Sequence, residues 1–278
     1  MMEKTPDYAA DFARDGFVIL RGFYDTRTQI EPIRENIRWI IETLCHKYGV
    51  NAPTSTVDEA LGPGYLALAK ANREWGGEVY DAVKQIPAFM RLVCDTRNAE
   101  MFASLRKDSV PGLAAGGYGI RIDAPYEERF RAPWHQEFPA QLRSLDGIVF
   151  WTPLISVTKE HGPVEIAQSS HNEGLVPVHT DDAGIGKSGA YALQLDKEEE
   201  RLGRYKRMAP LTEPGDLVLM DFLTLHQSGK NMAESPRWSI QFRYFNYADP
   251  TGIDLSWQGS FAAGRDFAKI LPELVVKK

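Results

Sequence analysis

Apolar residues at Ile30, Ile33, Ile37, Ile40, Ile41 and Leu44 recur at the i, i+3, i+4, i+7 spacing of an amphipathic helix. This predicts a helix over Thr28 to Tyr48, with Arg34, Glu35, Arg38 and Glu42 on its solvated face. Similar but shorter patterns predict helices over Tyr8 to Arg14, Leu66 to Asn72, Trp75 to Val83 and Pro87 to Leu105. One β-branched run, Gly16 to Phe23, interrupts them as a strand bounded by glycines.

From Gly116 the period changes. Short apolar runs bounded by turn residues predict strands over Tyr118 to Ile122, Gly147 to Pro153, Gly162 to Ala167, Tyr191 to Leu195, Leu217 to Phe222 and Ser239 to Tyr247. The chain thus reads as a single unit, 1–278, with a mostly helical part (1–115), a β-rich core (116–250) and a C-terminal extension (251–278). The expected fold is mainly β with a helical buttress: a double-sheet jelly roll or related barrel. No internal repeat or low-complexity linker divides it.

Composition narrows the function. At 278 residues, 43% hydrophobic and 25% charged, the chain is long enough to bury a sizeable core. A net charge of −6 without a basic run argues against nucleic acid as a partner. No stretch reads as a signal peptide or membrane span, so a cytoplasmic protein is expected. Cys45 and Cys94 are too few for a disulfide framework and read as buried free thiols.

Candidate chemistry centres on Trp134-His135-Gln136-Glu137. In an extended strand, alternate side chains share a face, so His135 and Glu137 are expected to project together and grip one ion. A second apolar run, from Leu217, ends on His226. Two imidazoles and one carboxylate are the facial ligand set that holds non-haem Fe(II) while leaving positions open. The other histidines, His46, His161, His171 and His179, lie in helix-end, turn or loop contexts where local hydrogen bonding suffices. His226 taken alone would be a satisfied core histidine.

The segment C-terminal to His226 adds weight to the metal reading. Arg237 stands eleven residues further on and opens the alternating run Ser239-Ile240-Gln241-Phe242-Arg243-Tyr244. An inward-facing arginine on a strand needs a buried anion. Its planar fork suits a carboxylate, and the Ser239 hydroxyl shares its face. A dicarboxylate co-substrate would chelate the iron at one end and be anchored here at the other. The alternative is that Arg237 pairs with a structural Asp or Glu.

Together, Gly16 to Phe23, His135-x-Glu137, Gly162 to His171, Gly215-Asp216 leading to His226-x-Ser228-Gly229-x-Asn231, and Arg237 resemble the phytanoyl-CoA dioxygenase-like family of Fe(II)/2-oxoglutarate-dependent oxygenases. The resemblance implies a double-stranded β-helix of the jelly-roll or cupin-like kind. It implies Fe(II) held by His135, Glu137 and His226, and 2-oxoglutarate anchored by Arg237. With O2, such an enzyme hydroxylates a small molecule and releases succinate and CO2. The chain departs from the family in having Glu137 where Asp is commoner, and Gln168-Ser169-Ser170-His171 where Pro-Gly-Ser-His is usual. A carboxylate at position 137 argues against halogenation, which requires a small residue there.

Substrate clues are fewer. Arg121 alternates with Asp123 on the strand entering the site, and Arg129, Arg131 and Arg143 surround the His-x-Glu segment, a pattern that would favour an anionic metabolite. Trp134, Phe138 and Trp151 are candidate walls of an apolar pocket. Tyr65 to Trp75 and Val176 to Gly189 are candidate lids. Two alternatives stay open: a cupin-like metal-dependent sugar-binding or isomerase protein, which would not need Arg237, and a non-catalytic member of the oxygenase fold.

Overall fold

The computed structural model of the chain describes residues 7–179, 193–259 and 267–276. Its main sheet is antiparallel and ordered β1 (Phe17–Leu20), β9 (Leu217–Asp221), β4 (Ile148–Pro153), β11 (Arg237–Asn246) and β2 (Pro111–Leu113). Strand β3 (Gly119–Asp123) also pairs with β11, along the N-terminal half of that ten-residue strand. Facing this sheet lies a smaller one made of β10 (His226–Ser228), β5 (Val164–Ala167) and β8 (Arg207–Met208). Strands β6 (Val178–His179) and β7 (Gln194–Leu195) form a separate antiparallel pair.

Alternation along the main sheet creates two cores. Ile148, Phe150, Leu217, Leu219, Trp238, Ile240, Phe242 and Tyr244 point outward and pack against helical residues such as Ile33, Ile37, Ile41 and Phe89. Val149, Trp151, Val218 and Met220 point the other way, toward Val164 and Ile166 of the smaller sheet. Each such side chain, removed from water, contributes roughly 1.5–3 kcal/mol. The helical residues and the β-rich residues therefore share one core, and Phe267 in the C-terminal extension is buried in the other.

Most predicted elements are present, with shifted ends. The helix expected from Thr28 begins as a π-helical turn, Thr26–Ile30, continues as Glu31–Tyr48 and stops at Gly49, which has φ 65°. The helix expected over Pro87 to Leu105 is two helices, Pro87–Val93 and Thr96–Leu105. The break falls at Asp95, whose side chain caps the second by accepting from the Arg97 amide. The strand expected from Gly162 begins at Val164, because Gly162 has φ 65° and lies against the Lys230 backbone, where a side chain would not fit. Strands β2, β8 and β10 are too short to have carried a periodic signal. Cys45 is buried as expected, but Cys94 is exposed, because it caps a helix end instead of lying on an apolar face. Much of Val176 to Gly189, including residues 180–189, lies outside the described residues, as do Tyr191 and Ala192. Among the described residues, no helix is long and apolar enough to cross a membrane.

Gly16 joins the first helix, Tyr8–Asp15, to β1 with φ 77°. A Cβ there would sit 2.4 Å from both His171 Nδ1 and Thr224 Oγ1. Gly16→Ala is therefore expected to lower stability by about 1–2 kcal/mol from backbone conformation alone, with the steric clash adding to that loss. Urea denaturation checks this, and an unchanged midpoint would show that the turn relaxes freely.

Candidate metal centre

His135 and His226 face each other across an isolated antiparallel bridge that extends the smaller sheet. Each backbone amide donates to the other's carbonyl at 3.1 Å, and the ring centroids lie 4.3 Å apart. The Nδ1 of His135 is 2.7 Å from the Pro133 carbonyl, and that of His226 is 2.9 Å from the Thr224 carbonyl. A carbonyl only accepts, so each Nδ1 carries the proton and each Nε2 presents its lone pair. Both Nε2 atoms lie 3.7 Å from one oxygen, Oε2 of Glu137.

Glu137 reaches that position differently from the expectation. It is not the alternate residue of an extended strand; its backbone is helical (φ −74°, ψ −35°) and it precedes the short helix Phe138–Gln141. The turn is secured by the amides of Glu137 and Phe138, which both donate to the Phe222 carbonyl, at 2.8 and 3.2 Å. The His-x-Glu pair thus converges through a strand-to-helix turn, and the imidazole of His226 completes the set.

The carboxylate of Glu137 is almost wholly buried and gripped from behind. Arg243 Nε donates to Oε1 at 3.0 Å and its Nη2 to Oε2 at 3.3 Å, while Gln141 Nε2 donates to Oε1 at 3.1 Å. Burial alone would raise its pKa, but the Arg243 charge outweighs burial and holds the carboxyl well below its ordinary range. Burial and the neighbouring His226 push the His135 imidazole below its ordinary value, which keeps it neutral at pH 7. Neutral imidazoles and an ionised carboxylate are what a divalent cation requires of its donors. Among the described residues, His135, Glu137 and His226 form the one such cluster, with donor atoms within 4.8 Å of one another.

Arg237 lies on the same face of β11 and is buried. Its Nη2 donates to Asp123 Oδ2 at 2.8 Å, so the structural-carboxylate alternative holds for one edge of the guanidinium. Nε and Nη1 of Arg237 and Oγ of Ser239 are buried with no hydrogen-bond partner. Arg121 donates to the other oxygen of Asp123 at 2.8 Å. Two guanidiniums share one carboxylate, whose pKa burial would raise but their charges force down. A single positive charge is left over, directed at the unpartnered edge of Arg237. A second carboxylate, supplied by a ligand, fits that edge in both charge and geometry.

His135, Glu137, His226, Arg237 and Arg243 line a cavity of about 280 Å³, of whose wall Ser239 is not a part. Arg121 and Trp151 contribute to its wall, whereas Trp134 and Phe138 do not. Both belong to the buried cluster between the sheets, and the Trp134 ring is covered by the Arg207 guanidinium at 5.7 Å. Nor do the arginines form a patch of free cations. Arg131 pairs with Glu128, Arg143 donates to the Ala115 carbonyl, and Arg129 lies over the Phe130 ring. Of the remaining histidines, His161, His171 and His179 find local partners in Ser235, the Ala13 carbonyl and Asp196.

Residues 122–239 match the family model for phytanoyl-CoA dioxygenase. That segment of the chain is similar to the phytanoyl-CoA dioxygenase family. The chain's fold is shared with solved non-haem, alpha ketoglutarate-dependent enzymes. EctD from S. alaskensis with 2-oxoglutarate and 5-hydroxyectoine superposes with a TM-score of 0.57 at 18% identity, covering 91% of this chain and 83% of that one. The epimerase SnoN, in complex with Fe3+, alpha ketoglutarate and nogalamycin RO, gives a TM-score of 0.55 at 18% identity over 89% and 87%. The alpha ketoglutarate-dependent carbocyclase SnoK from nogalamycin biosynthesis gives 0.53 at 14% identity over 92% of both chains.

Sequence reasoning missed Arg243, Gln141 and the pairing role of Asp123. A signal existed for the first: Arg237, Ser239, Gln241 and Arg243 have the same parity on one strand, so an inward Arg237 implies an inward Arg243. Gln141 lies one helical turn after Glu137, a relation hidden by reading that stretch as extended.

Arg243→Met would leave the Glu137 carboxylate buried without its cation and is expected to destabilise the fold by about 3–5 kcal/mol, read from chemical denaturation. Asp123 has a folded pKa below its unfolded value of about 3.9, so its stabilisation is present above about pH 4 and is lost as the pH falls. Melting temperature should therefore drop on acidification through that window, and less steeply in Asp123→Asn. Parallel profiles for the two proteins would show that Asp123 is not held by its arginines.

Proposed function

We propose that this protein is a non-haem Fe(II)/2-oxoglutarate-dependent oxygenase acting on a small molecule, with residues 1–278 as one oxygenase unit. One observation carries the reading: a ready two-His, one-carboxylate donor set shares a cavity with a buried arginine that has two nitrogens left unpartnered. A cupin-like sugar-binding or isomerase protein has no use for that arginine.

In this reading His135 Nε2, His226 Nε2 and Glu137 Oε2 hold the metal, and Arg237 with Ser239 binds the far carboxylate of 2-oxoglutarate. When bound, Fe(II), 2-oxoglutarate and O2 supply the oxidation of an unactivated C–H bond, with succinate and CO2 as products. The chain's own residues orient and insulate. Pro133 and Thr224 fix the imidazole tautomers through their carbonyls. Arg243 and Gln141 occupy Oε1 of Glu137, while Oε2, which also accepts from Arg243 Nη2, is turned toward the imidazoles. Asp123 holds Arg237 by one edge so that the other faces the cavity. Hydroxylation is the outcome proposed, since it needs only a positioned C–H bond and no additional group to redirect the reaction.

Anaerobic protein loaded with Fe(II) should develop the visible charge-transfer absorption of bound 2-oxoglutarate. His135→Ala and His226→Ala should abolish it. Arg237→Ala should raise the 2-oxoglutarate concentration for half-saturation roughly thirty-fold or more, the ~2 kcal/mol lower bound for losing a buried charge-paired partner. Absorption that is undiminished in either histidine variant would overturn the ligand assignment.

A further inference from the structure

Beside the metal-side cavity lies a second chamber of about 410 Å³, set between the helices Tyr65–Ala71 and Arg73–Val83 and the outer part of β3. The two share Tyr80, Arg121 and Gln241 in their walls, so they adjoin. Its walls are mostly rings and aliphatic groups: Tyr65, Tyr80, Ile120, Ile122 and Phe130. Two of these, Tyr80 and Phe130, leave 43% and 40% of their surface exposed, an arrangement that costs hydration unless something covers the rings.

The charges in the wall are already matched. Arg73 donates to both oxygens of Glu127, at 3.0 and 3.3 Å, and lays its guanidinium 4.8 Å from the centre of the Phe130 ring. Arg121 is engaged by Asp123 and by the Phe130 carbonyl. A ligand carboxylate or phosphate would lose water without meeting a spare cation in this wall, to which Arg129, 5.2 Å from the centre of the Phe130 ring, does not belong. The polar handles are the phenols and the Gln241 amide; burial pushes the Tyr65 hydroxyl up to about 12, so it remains a donor.

We propose that this chamber is the binding site for the body of the enzyme's substrate, an uncharged, ring-bearing small molecule whose reacting end extends past Tyr80 into the metal-side cavity. The inference rests on the oxygenase reading for what happens at that end, but the chamber's selectivity stands on its own walls. The two volumes together suit a molecule of ordinary small-ligand size. Gly77 also lines the chamber, and unlike its neighbour Gly76, where a Cβ would sit 3.1 Å from Ala69 Cβ, a Cβ at Gly77 would meet nothing within 4 Å. A side chain there enters the chamber while improving the local helix propensity.

The test uses 2-naphthol and 2-naphthoate as an uncharged and an anionic ring of the same shape, titrated against the full chain and followed by tryptophan fluorescence. The expected result is saturable 2-naphthol binding that weakens by about ten-fold or more in Gly77→Leu, with melting temperature unchanged or raised. Phe130→Ala should weaken it as well by removing a wall, which keeps the test valid should Gly77→Leu fold poorly. Any 2-naphthoate binding should be indifferent to Gly77→Leu. Absence of saturable 2-naphthol binding, 2-naphthol binding indifferent to both substitutions, or 2-naphthoate binding that Gly77→Leu abolishes would each overturn the proposal. Charge-transfer absorption of 2-oxoglutarate on the Fe(II)-loaded wild-type protein reports the oxygenase reading separately, so the two can fail independently.

Discussion

A carboxylate cannot be taken out of water unless its charge is answered, and the burial of Glu137 imposes that constraint on several elements at once. Arg243 must come from β11, Gln141 from the next helical turn, and the two imidazoles from opposite sides of the bridge between residues 135 and 226. Phe222, at the end of β9, must offer its carbonyl to the turn that carries Glu137. If Arg243 moved, the buried charge would be left unpaired, and if the others moved the carboxylate would lose a hydrogen bond or its position. The geometry of the candidate metal centre is therefore tied to correct assembly of both sheets.

Strand β11 carries much of that assembly because its two faces have different tasks. Trp238, Ile240, Phe242 and Tyr244 bind the sheet to the helices, while Arg237, Ser239, Gln241 and Arg243 face the space between the sheets. A register shift by one residue would place the apolar set in the cavity and the arginines in the core. Pairing with β4 on one edge and with β2 and β3 on the other makes such a shift costly. The same pairing brings Asp123 directly opposite Arg237.

The charge pattern also divides the interior into regions of distinct character. Arg243 and Glu137 cancel, Asp123 cancels one of its two arginines, and Arg73 and Glu127 cancel at the outer chamber. One positive edge is left, at Arg237, in the cavity that also holds the donor set. The presence of glutamate at position 137 where the family more often has aspartate is accommodated here by the helical turn, from which the longer arm brings Oε2 equidistant from both histidines.

By itself, the sequence determined what local chemistry and periodicity can encode. The amphipathic helix over Ile30 to Leu44, the strands through Phe150, Leu219 and Phe242, the identities of the two histidines and one glutamate, and the inward direction of Arg237 were all legible, because each depends on spacing within one segment. The family resemblance extended the same segments to a double-stranded β-helix. Only the tertiary structure decided which residues meet. That Glu137 sits in a helical turn, that Arg243 and Gln141 grip it, that Asp123 satisfies half of Arg237, and that Trp134 and Phe138 fill the core while Tyr65, Tyr80 and Phe130 wall a chamber are outcomes of pairing between distant strands and helices. No window along the chain contains them, since each depends on register and packing between segments separated by up to about a hundred residues or more.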